Sequence, residues 1–205
     1  MIAYKFLRSV RTGPFSGFKW PEPGRWVRVS RDLARCRAGV HACRRQDLPW
    51  WLAGELWEIE LDGTIQPDEH KLVASAGRLL ARVEEWTPEC ANEFAHACAW
   101  RARGRAVQAL TRTGHGQAAE RLRGCETLDD VLTTARRLSE DTPDARVSLT
   151  IAGDGAIRAL TGAAPTSAYI AAHAAMRLDG PPAYAAERQW QSQWLTDRLA
   201  LRPDR

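Results

Sequence analysis

The chain has 205 residues, 44% of them hydrophobic and 26% charged, which is typical of a soluble globular protein of one or two domains. No stretch approaches the ~18 consecutive apolar residues of a membrane span, and the basic start has no signal-peptide core, so we expect a cytoplasmic protein without membrane contact. The net charge of +4 comes without a recognisable nucleic-acid-binding module, so a nucleic-acid partner is not expected.

Charge is unevenly distributed along the first part of the chain. Residues 1–45 hold 11 basic and 2 acidic side chains, whereas residues 46–86 hold 3 basic and 9 acidic side chains. Two such lobes either recruit an anion or neutralise each other within one fold, and neutralisation is the commoner outcome. The pattern alone therefore leaves an anionic ligand open.

The first 86 residues favour β-structure. Alternation over residues 2–7 predicts a first strand, with Ile2, Tyr4 and Phe6 on one face. The segments on either side of a Pro-Glu-Pro-Gly turn predict a hairpin of two short strands, residues 15–20 and 25–29. Further along we predict an extended piece at 39–43, one helical turn at 47–52, the clearest strand at 55–63, a strand at 70–75, and a segment at 77–86 that fits strand or helix equally.

After residue 86 the pattern becomes helical. Thr87 followed by Pro88 is a typical helix start, and Thr127 with Asp130 forms a weak capping box ahead of an apolar stripe. The predicted helices are 88–110, 116–123, 128–138, 167–178 and 182–201, whereas 145–160 fits strand or helix. The predicted fold class is α+β: a small β-rich sheet in residues 1–86, packed as one unit against an Ala-rich helical bundle in residues 87–205.

The five cysteines, an odd number, occur without a secretory context, so we predict thiols rather than a disulfide framework. Two stretches end in His-Ala-Cys, one containing Cys36, His41 and Cys43 and the other containing His96 and Cys98. Two such pairs would suit zinc, but residues two apart point in different directions on a helix, where the second stretch is predicted to lie. We therefore predict no metal and no cofactor, while metal binding by the first stretch stays open.

A candidate active site can be assembled around His41. Glu58 and Glu60 share the non-core face of their predicted strand, and if that strand lies near His41, imidazole and carboxylate form an acid–base pair. The alternative is structural, with the histidine bonded to backbone and the glutamates paired across strands. The predicted catalytic residues are His41, Glu58 and Glu60, and the predicted ligand-binding residues are Arg8, Arg37, Arg44, Trp50 and Trp57, the arginines holding an anion.

Three motifs in the first 86 residues resemble those of a family of uncharacterised bacterial proteins. They are GPFSGF at 13–18, the CRxGxHAC pattern at 36–43 and the LWExEL pattern at 56–61. The segment AAERQWQSQWL at 185–195 is similar to the other end of those proteins. The resemblance implies a domain of unknown function and carries no activity with it.

The order of the predicted elements between residues 39 and 63 loosely resembles that of ADP-ribosyltransferase-like domains. A glycine-led strand, a short helix and a strand ending in glycine follow one another at residues 39–43, 47–53 and 55–63. That resemblance implies Glu60 as a catalytic glutamate. The Ser-Thr-Ser and Tyr-rich elements of such domains are missing, so the likeness is one of fold rhythm.

The function that these residues favour is the binding of a small anionic or aromatic metabolite in a cleft, with His41 and Glu58 or Glu60 supplying acid–base chemistry. One alternative is a non-enzymatic adaptor that holds a protein partner, or a second copy of the chain, through Trp190 and Trp194. The other is an ADP-ribosyltransferase-like domain. A closed pocket containing His41 would favour the first function, and an exposed tryptophan patch would favour the adaptor. Whether the protein is an enzyme stays open.

Overall fold

The computed structural model describes residues 1–29, 33 and 38–202, and it shows an α+β protein. The chain divides into two compact units: the first comprises Met1–Pro88 with Ser192–Arg205, and the second comprises Glu89–Gln191. The change of pattern after residue 86 falls close to the first of these boundaries. The grouping of Ser192–Arg205 with the first unit has no counterpart in the sequence pattern.

The first unit is built on antiparallel β-structure. A 3-10 helix of two turns, Arg45–Trp50, follows the third strand and overlaps the helical turn predicted at 47–52, although Pro49 lies near its end and not near its start. The strands of the described residues are β1 (Ile2–Leu7), β2 (Val27–Arg28), β3 (Val40–Ala42), β4 (Glu55–Pro67) and β5 (Leu72–Arg82).

Four of these strands form a closed ring. β1 pairs with β4, β4 with β5, and β5 with β3, all antiparallel. The ring closes where Tyr4 of β1 meets Cys43, the residue after β3: the Tyr4 N–H donates to the Cys43 carbonyl at 2.9 Å, and the Cys43 N–H donates to the Tyr4 carbonyl at 2.7 Å. β2 occupies the same edge of β5 beyond β3. Closure pairs backbone groups that an open edge would leave exposed.

The inside of the ring is an apolar cluster made by alternate residues of each strand. Ala3 pairs with Ile59 across β1 and β4, and Lys5 pairs with Trp57 next to it. Because side chains alternate along a strand, Lys5 lies on the same face as Ala3 and Leu7. The buried members of the cluster are Ala3, Leu7, Trp20, Val40, Ala42, Trp57, Ile59, Leu61, Leu72, Ala74 and Leu79.

The predicted hairpin of residues 15–20 with residues 25–29 is wrong. Only Val27–Arg28 is a strand, and it pairs with β5 instead. Residues 13–18 form a tight turn in which the Gly17 N–H donates to the Gly13 carbonyl at 3.0 Å, with Gly17 at φ +66°. The segment after this turn leads to Trp20, whose indole is buried in the apolar cluster inside the ring of strands. Burial of that large side chain outweighs the pairing of residues 15–20 with residues 25–29.

The segments 70–75 and 77–86 contribute one continuous strand, β5, rather than two elements. Gly77 lies inside this strand, at a point where β5 and β3 approach closely. A Cβ added at Gly77 would come within 2.7 Å of a Val40 side-chain carbon. Glycine therefore permits the close approach of β5 to β3.

The predicted helical character after residue 86 is confirmed, with bounds that differ by a few residues at most helix ends. A 3-10 turn, Pro143–Ala145, precedes the fourth helix. The helices are α1 (Pro88–Arg112), α2 (Gly116–Arg123), α3 (Leu128–Asp141), α4 (Arg146–Leu160), α5 (Ala164–Asp179) and α6 (Pro181–Arg198), of which α6 belongs to the second unit as far as Gln191.

The segment that fitted strand or helix, 145–160, is helix α4. Its buried face consists mainly of small residues, including Ala152, Ala156 and Ala159. A Cβ added at Gly155 would lie 3.3 Å from the Cβ of Ala102 in α1, so the backbones of α4 and α1 approach closely within the second unit. Small residues spaced three or four apart lie on one face of a helix and allow such a close approach. This spacing outweighs the alternation of Val147, Leu149 and Ile151, which by itself would favour a strand.

The capping box at the start of α3 is complete. The Thr127 hydroxyl accepts from the Asp130 N–H at 3.1 Å, and the Thr127 N–H donates to the Asp130 carboxylate at 3.0 Å. These hydrogen bonds from Thr127 lower the pKa of Asp130 below its ordinary value. The sequence motif therefore predicts the first residue of α3 correctly.

A buried carboxylate joins α1 to α6 inside the second unit. Glu187 is fully buried, and its oxygens accept from the Arg101 guanidinium at 2.7 and 2.8 Å and from Arg105 at 3.0 Å. Arg105 also pairs with Asp179 at 2.8 Å. Two guanidinium groups thus compensate for the removal of one carboxylate from water.

In the first unit, the segment after Gln191 is fixed to the strands by hydrogen bonds. The Tyr4 hydroxyl donates to the Arg202 carbonyl at 3.1 Å, and the Ser192 hydroxyl donates to the Arg45 carbonyl at 2.8 Å. Leu195 and Leu199 of this segment are buried. The ring and its surroundings are therefore completed by residues more than a hundred positions away in sequence.

Candidate functional site

The first unit contains a cavity of about 660 Å³ beside the place where β1 and β3 separate. Tyr4, Lys5 and Phe6 of β1 line one side, and residues 39–43 line the other. The turn at residues 14–20 and the flanks of β2 complete the wall. Most of the lining is apolar, and the aromatic residues in it are Tyr4, Phe6, Phe15, Phe18, Trp20 and Trp51.

The cavity exists because the β1–β3 pairing is only one bridge long. Beyond Tyr4 and Cys43, the His41 carbonyl points toward β1, where a continued ladder would offer it a backbone N–H. That carbonyl instead accepts a hydrogen bond from the Lys5 side-chain ammonium at 2.5 Å. The long side chain of Lys5 thus satisfies the first unpaired carbonyl of β3 while the two backbones move apart.

Lys5 stands in apolar surroundings. Its Nζ lies 5.1 Å from the centre of the Trp20 ring, within the range of a cation–π contact. Burial lowers the pKa of Lys5 from 10.5 to about 8, a shift that the charge of Cys43 only partly opposes. Lys5 is therefore a cation at neutral pH, but one that loses its proton far more easily than a lysine in water.

His41 lines the same cavity and is neutral at pH 7. Burial lowers its pKa below the ordinary value, the charges of Lys5 and Lys71 lower it further, and Asp68 opposes them. Its Nε2 is buried and has no hydrogen-bond partner in the part of the chain that the structure describes. A buried polar atom in this position costs free energy unless a ligand or a water molecule bonds to it.

Aromatic side chains and a second lysine form the rim, which we define as Phe15, Trp51 and Lys71. Phe15 packs edge-on against Trp51 with ring centres 6.1 Å apart, although 84% of its surface is exposed. The indole N–H of Trp51 donates to the His70 carbonyl at 2.6 Å, which fixes the ring. The Lys71 ammonium lies 5.8 Å from that ring and 3.6 Å from the Asp68 carboxylate.

The charges of the cavity are of one sign. Lys5 and Lys71 are among the lining residues, and within the described ranges no Asp or Glu lines the wall. Asp68 is not a lining residue, but its carboxylate forms an ion pair with Lys71 of the rim. The arrangement therefore suits a ligand with an apolar body and one negative charge.

The structure brings His41 to the cavity but does not bring Glu58 or Glu60 to it. Both glutamates lie in β4, opposite Tyr4 and Ile2 respectively, and neither lines the wall. Glu60 accepts from the Arg78 guanidinium at 2.7 Å, which is the cross-strand pairing expected of a structural residue.

The predicted ligand-binding tryptophans have other partners. Trp57 is buried in the ring, and its indole N–H donates to the Glu55 carboxylate at 3.0 Å. Trp50 stacks on His70 with ring centres 4.0 Å apart. Neither of the two lines the cavity, whereas the neighbouring Trp51 does.

The predicted arginines do not line the cavity either. Arg44 bonds to the Asp47 carboxylate and to the carbonyls of Asp68 and Glu69, the latter at 2.8 Å, so it ties the 3-10 helix to the β4–β5 turn. Arg8 is exposed, and its backbone bridges to Thr12. Arg37 lies outside the described residues.

Sequence reasoning did not identify Lys5, Lys71, Phe15 or Trp51 as site residues. One signal was present for Lys5, because the chain has only three lysines and this one interrupts a strand that is otherwise apolar. For Trp51 a local signal exists, because the Trp50-Trp51 pair beside Pro49 suggests either the mouth of a pocket or a plug at the end of the sheet. No local pattern marks Lys71, since its approach to His41 depends on the pairing of β3 with β5.

The two His-Ala-Cys stretches belong to different units of the chain. Among the described residues, no three His, Cys, Asp or Glu side chains gather as metal ligands would, and Cys36 is outside those residues. Burial raises the pKa of Cys98 far above its ordinary value, so that residue remains a thiol, which is the wrong form for metal binding. Cys43 is a buried free thiol whose Sγ lies 3.4 Å from the Tyr4 carbonyl.

The tryptophans of the adaptor alternative are not prominent at the surface. Trp190 and Trp194 are both half-buried, and the Arg101 guanidinium lies 4.0 Å from the centre of the Trp190 ring. Neither residue is among the large hydrophobic side chains that are exposed, which include Val10, Phe15 and Phe18.

Comparison with protein-family models, with curated proteins and with solved structures finds no match for this chain. In the helices that the structure describes, none combines the length and the apolarity needed to cross a membrane. The lining of the cavity is therefore the feature of the described chain that bears most directly on function.

Proposed function

We propose that this protein binds a small monoanionic molecule with an aromatic or apolar body in the cavity between β1 and β3. The observation that carries the proposal is the lining: an apolar and aromatic wall of about 660 Å³ that includes two lysines and, among the described residues, no acid. Small-molecule sites typically enclose ~300–1,000 Å³ and combine an apolar wall with a few polar groups. We place the protein in the cytoplasm, where its cysteines would stay reduced.

Charge balance supports a single negative charge on the ligand. Lys5 and Lys71 contribute two positive charges, and Asp68 neutralises one of them. Lys5 keeps its proton in spite of burial, and a bound carboxylate would offset part of that desolvation cost. Binding should therefore raise the pKa of Lys5 and be accompanied by proton uptake near pH 8.

His41 gives the ligand site a polar contact that carries no charge. A neutral imidazole whose Nε2 has no protein partner either donates to or accepts from a ligand, according to its tautomer. Acid–base chemistry with Glu58 or Glu60 has no support from the lining, so the proposal assigns that role to neither glutamate. Binding is the part of the predicted function that the cavity favours.

The test is calorimetric titration of the full chain at pH 7 with 3-phenylpropanoate, a monocarboxylate with an aromatic ring. The neutral alcohol 3-phenylpropanol and the dianion glutarate serve as comparison ligands. We expect the monocarboxylate to bind about tenfold more tightly than the alcohol, because one desolvated ion pair is worth on the order of 1–3 kcal/mol. Glutarate should bind more weakly than either, because it lacks an apolar body.

Matched variants locate the site. Lys71→Met should weaken binding of 3-phenylpropanoate but not of the alcohol, whereas Lys19→Met, on an exposed residue outside the cavity, should change neither. Phe15→Ser should weaken both ligands, and Val10→Ser, which is 73% exposed and away from the cavity, is its control. Equal binding of all three ligands, or equal effects of the paired variants, would contradict the proposal.

A further inference from the structure

Lys5 combines three features that are seldom found in one lysine. It occupies a core position of β1, on the face of Ala3 and Leu7. Its amine lines an apolar cavity and is held by one hydrogen bond, to the His41 carbonyl. The same cavity holds the His41 imidazole, whose Nε2 has no partner among the described residues.

We propose that the side-chain amine of Lys5 forms a reversible imine with an aldehyde or ketone whose apolar or aromatic body fills the cavity. The inference rests on the proposed function, because it takes the same cavity as the ligand site. It goes beyond that function in assigning covalent chemistry to one named atom, Lys5 Nζ, and a carbonyl group to the ligand.

The reaction needs the neutral amine, and the surroundings of Lys5 provide it. With a pKa of about 8, roughly one tenth of the Lys5 amines are neutral at pH 7, compared with about one in three thousand for a lysine of ordinary pKa. The apolar wall that disfavours the ammonium is also the surface that would bind the body of the ligand. Desolvation of this kind is a known way of activating a lysine nucleophile.

Geometry directs the nucleophilic electron pair. In the neutral form, one N–H of Lys5 still donates to the His41 carbonyl, so the lone pair cannot point toward that oxygen. The Trp20 ring lies 5.1 Å from Nζ and covers one further direction. The lone pair is left to face the cavity, where a carbonyl carbon would arrive.

The covalent step is balanced without any additional reagent. The neutral Lys5 nitrogen adds to the carbonyl carbon, a C–N bond forms and the carbonyl π-bond breaks, and one proton moves from the nitrogen to the oxygen to give a carbinolamine. The one proton left on the nitrogen then goes to the hydroxyl, the C–O bond breaks, water leaves, and a C=N bond results. Hydrolysis reverses both stages, and nothing is oxidised or reduced.

His41 is placed to move the proton. It is neutral at pH 7, so its ring can accept the proton that the attacking nitrogen releases and return it to the departing hydroxyl. Lys5 and His41 lie close enough for the ammonium charge to lower the pKa of His41. Deprotonation of Lys5 before attack removes that influence, so the pKa of His41 is higher, and His41 is a better base, when Lys5 is in its neutral, reactive form.

The experiment is reductive trapping with 3-phenylpropanal, the aldehyde that matches 3-phenylpropanoate. The full chain is incubated with the aldehyde and sodium cyanoborohydride at pH 7, and peptide mass spectrometry follows alkylation of each lysine. The chain has only three lysines, Lys5, Lys19 and Lys71, so the alkylation of each can be followed in its own peptide. We expect Lys5 to be alkylated at least tenfold faster than Lys19, because an amine with a pKa of about 8 has a neutral fraction about 300-fold larger than an ordinary lysine, an advantage that its lower nucleophilicity offsets in part.

Protection and substitution identify the site. Excess 3-phenylpropanoate should slow alkylation of Lys5 and leave Lys19 unchanged. Lys5→Arg should remove the fast phase and keep a side chain that can bond to the His41 carbonyl. His41→Gln retains the backbone carbonyl, removes the imidazole, and should slow Lys5 alkylation by about tenfold or more, in line with loss of general acid–base assistance.

The two proposals fail in different ways. If 3-phenylpropanoate binds as expected but Lys5 is alkylated no faster than Lys19, the imine proposal is overturned and the binding function stands. If Lys5 is alkylated rapidly but 3-phenylpropanoate neither binds nor protects it, the reaction lies outside a ligand site and the imine proposal is overturned together with the binding function. Fast alkylation of Lys5 that the carboxylate slows supports both.

Discussion

Lys5 shows how one charged residue in a core position can shape a site. It shares the inner face of β1 with Ala3 and Leu7, and its ammonium donates to the His41 carbonyl of β3, which faces β1 where the two described strands no longer pair. An apolar residue here would leave that carbonyl without this donor. The hydrogen bond to the His41 carbonyl and the contact with the Trp20 ring thus compensate for part of the desolvation of the charge. The uncompensated part of the desolvation free energy lowers the pKa of Lys5.

The pH dependence of stability follows from that pKa. The pKa of Lys5 is about 8 in the folded chain and 10.5, the ordinary value, in the unfolded chain. Below pH 8 Lys5 is therefore protonated in both states, and the folded chain bears the full free-energy cost of burying the charge. Between these values the unfolded chain holds more protons, and stability rises with pH. Relative to Lys5→Met, the free energy of unfolding should rise by about 2–3 kcal/mol from pH 7 to pH 10.

Chemical denaturation of wild type and Lys5→Met at a series of pH values measures this difference, and other titrating groups cancel in it. Lys19→Met is the control, because Lys19 is exposed. A constant difference across the range would show that Lys5 has an ordinary pKa and does not feel the apolar wall.

At the level of single residues, the sequence predicts part of the site. The structure places His41 in the wall of the cavity, and its role there stays a prediction. The interpretation of Glu58 and Glu60 assumed that their face of β4 meets His41, whereas neither glutamate is among the described residues that line the cavity. Which face of a strand borders a cavity depends on ring closure, which alternation alone cannot show.

Among the elements, α3 is the one whose start is best determined by local chemistry. Its capping box satisfies the first backbone N–H groups of the helix from within four residues of sequence. Thr127→Ala should therefore lower the free energy of unfolding by about 1 kcal/mol. Thermal and denaturant unfolding monitored by circular dichroism would measure the loss.

Thr133→Ala is the matched control for that variant, because Thr133 is exposed in the middle of the same helix and makes no cap. It should be neutral or slightly stabilising, since alanine has the higher helix propensity. The stabilisation that Asp130 gives through its lowered pKa is present above its ordinary pKa and is lost as the pH falls through the folded value. The part of the Thr127→Ala loss that depends on the Asp130 carboxylate should therefore disappear in acid, whereas the part due to the hydrogen bond from the Asp130 N–H to the Thr127 hydroxyl should remain. Equal losses for the two variants at neutral pH would show that the cap does not stabilise α3.

Elements with a strong local signal were predicted well, and those set by distant pairing were not. α1 and α3 have start signals in the chain itself, and β4 has clear alternation. The hairpin at 15–29 was wrong, and the segments 70–75 and 77–86 are one strand, because burial of Trp20 and tight packing against Val40 decide those conformations. Those causes come from residues that are remote in sequence, so no local pattern contains them.

On the scale of the whole molecule, each unit is held by contacts between residues far apart in sequence. In the second unit, Glu187 joins Arg101 and Arg105 across more than eighty positions. Glu187→Gln keeps the shape but leaves two guanidinium groups without their carboxylate. It should lower the free energy of unfolding by about 3 kcal/mol, the size of effect seen when one member of a buried ion pair is removed.

Glu120→Gln is the control for that substitution, because the Glu120–Arg123 pair lies at the surface, with 71% of the Glu120 side chain exposed. Its effect should be below about 0.5 kcal/mol and should vanish in high salt. Denaturant unfolding in low and high salt would compare the two variants. Similar small losses for both would mean that the buried cluster contributes little to stability.

The return of residues 192–202 to the first unit determines the order in which the chain can complete its folding. During synthesis, every residue of the second unit leaves the ribosome before Ser192 and Arg202 do, and these supply a donor to Arg45 and an acceptor to Tyr4. The half of the protein that is translated first is therefore the last to be finished. A nascent chain stopped at residue 191 would hold a complete helical unit and a first unit that still lacks the hydrogen bonds of Ser192 and Arg202.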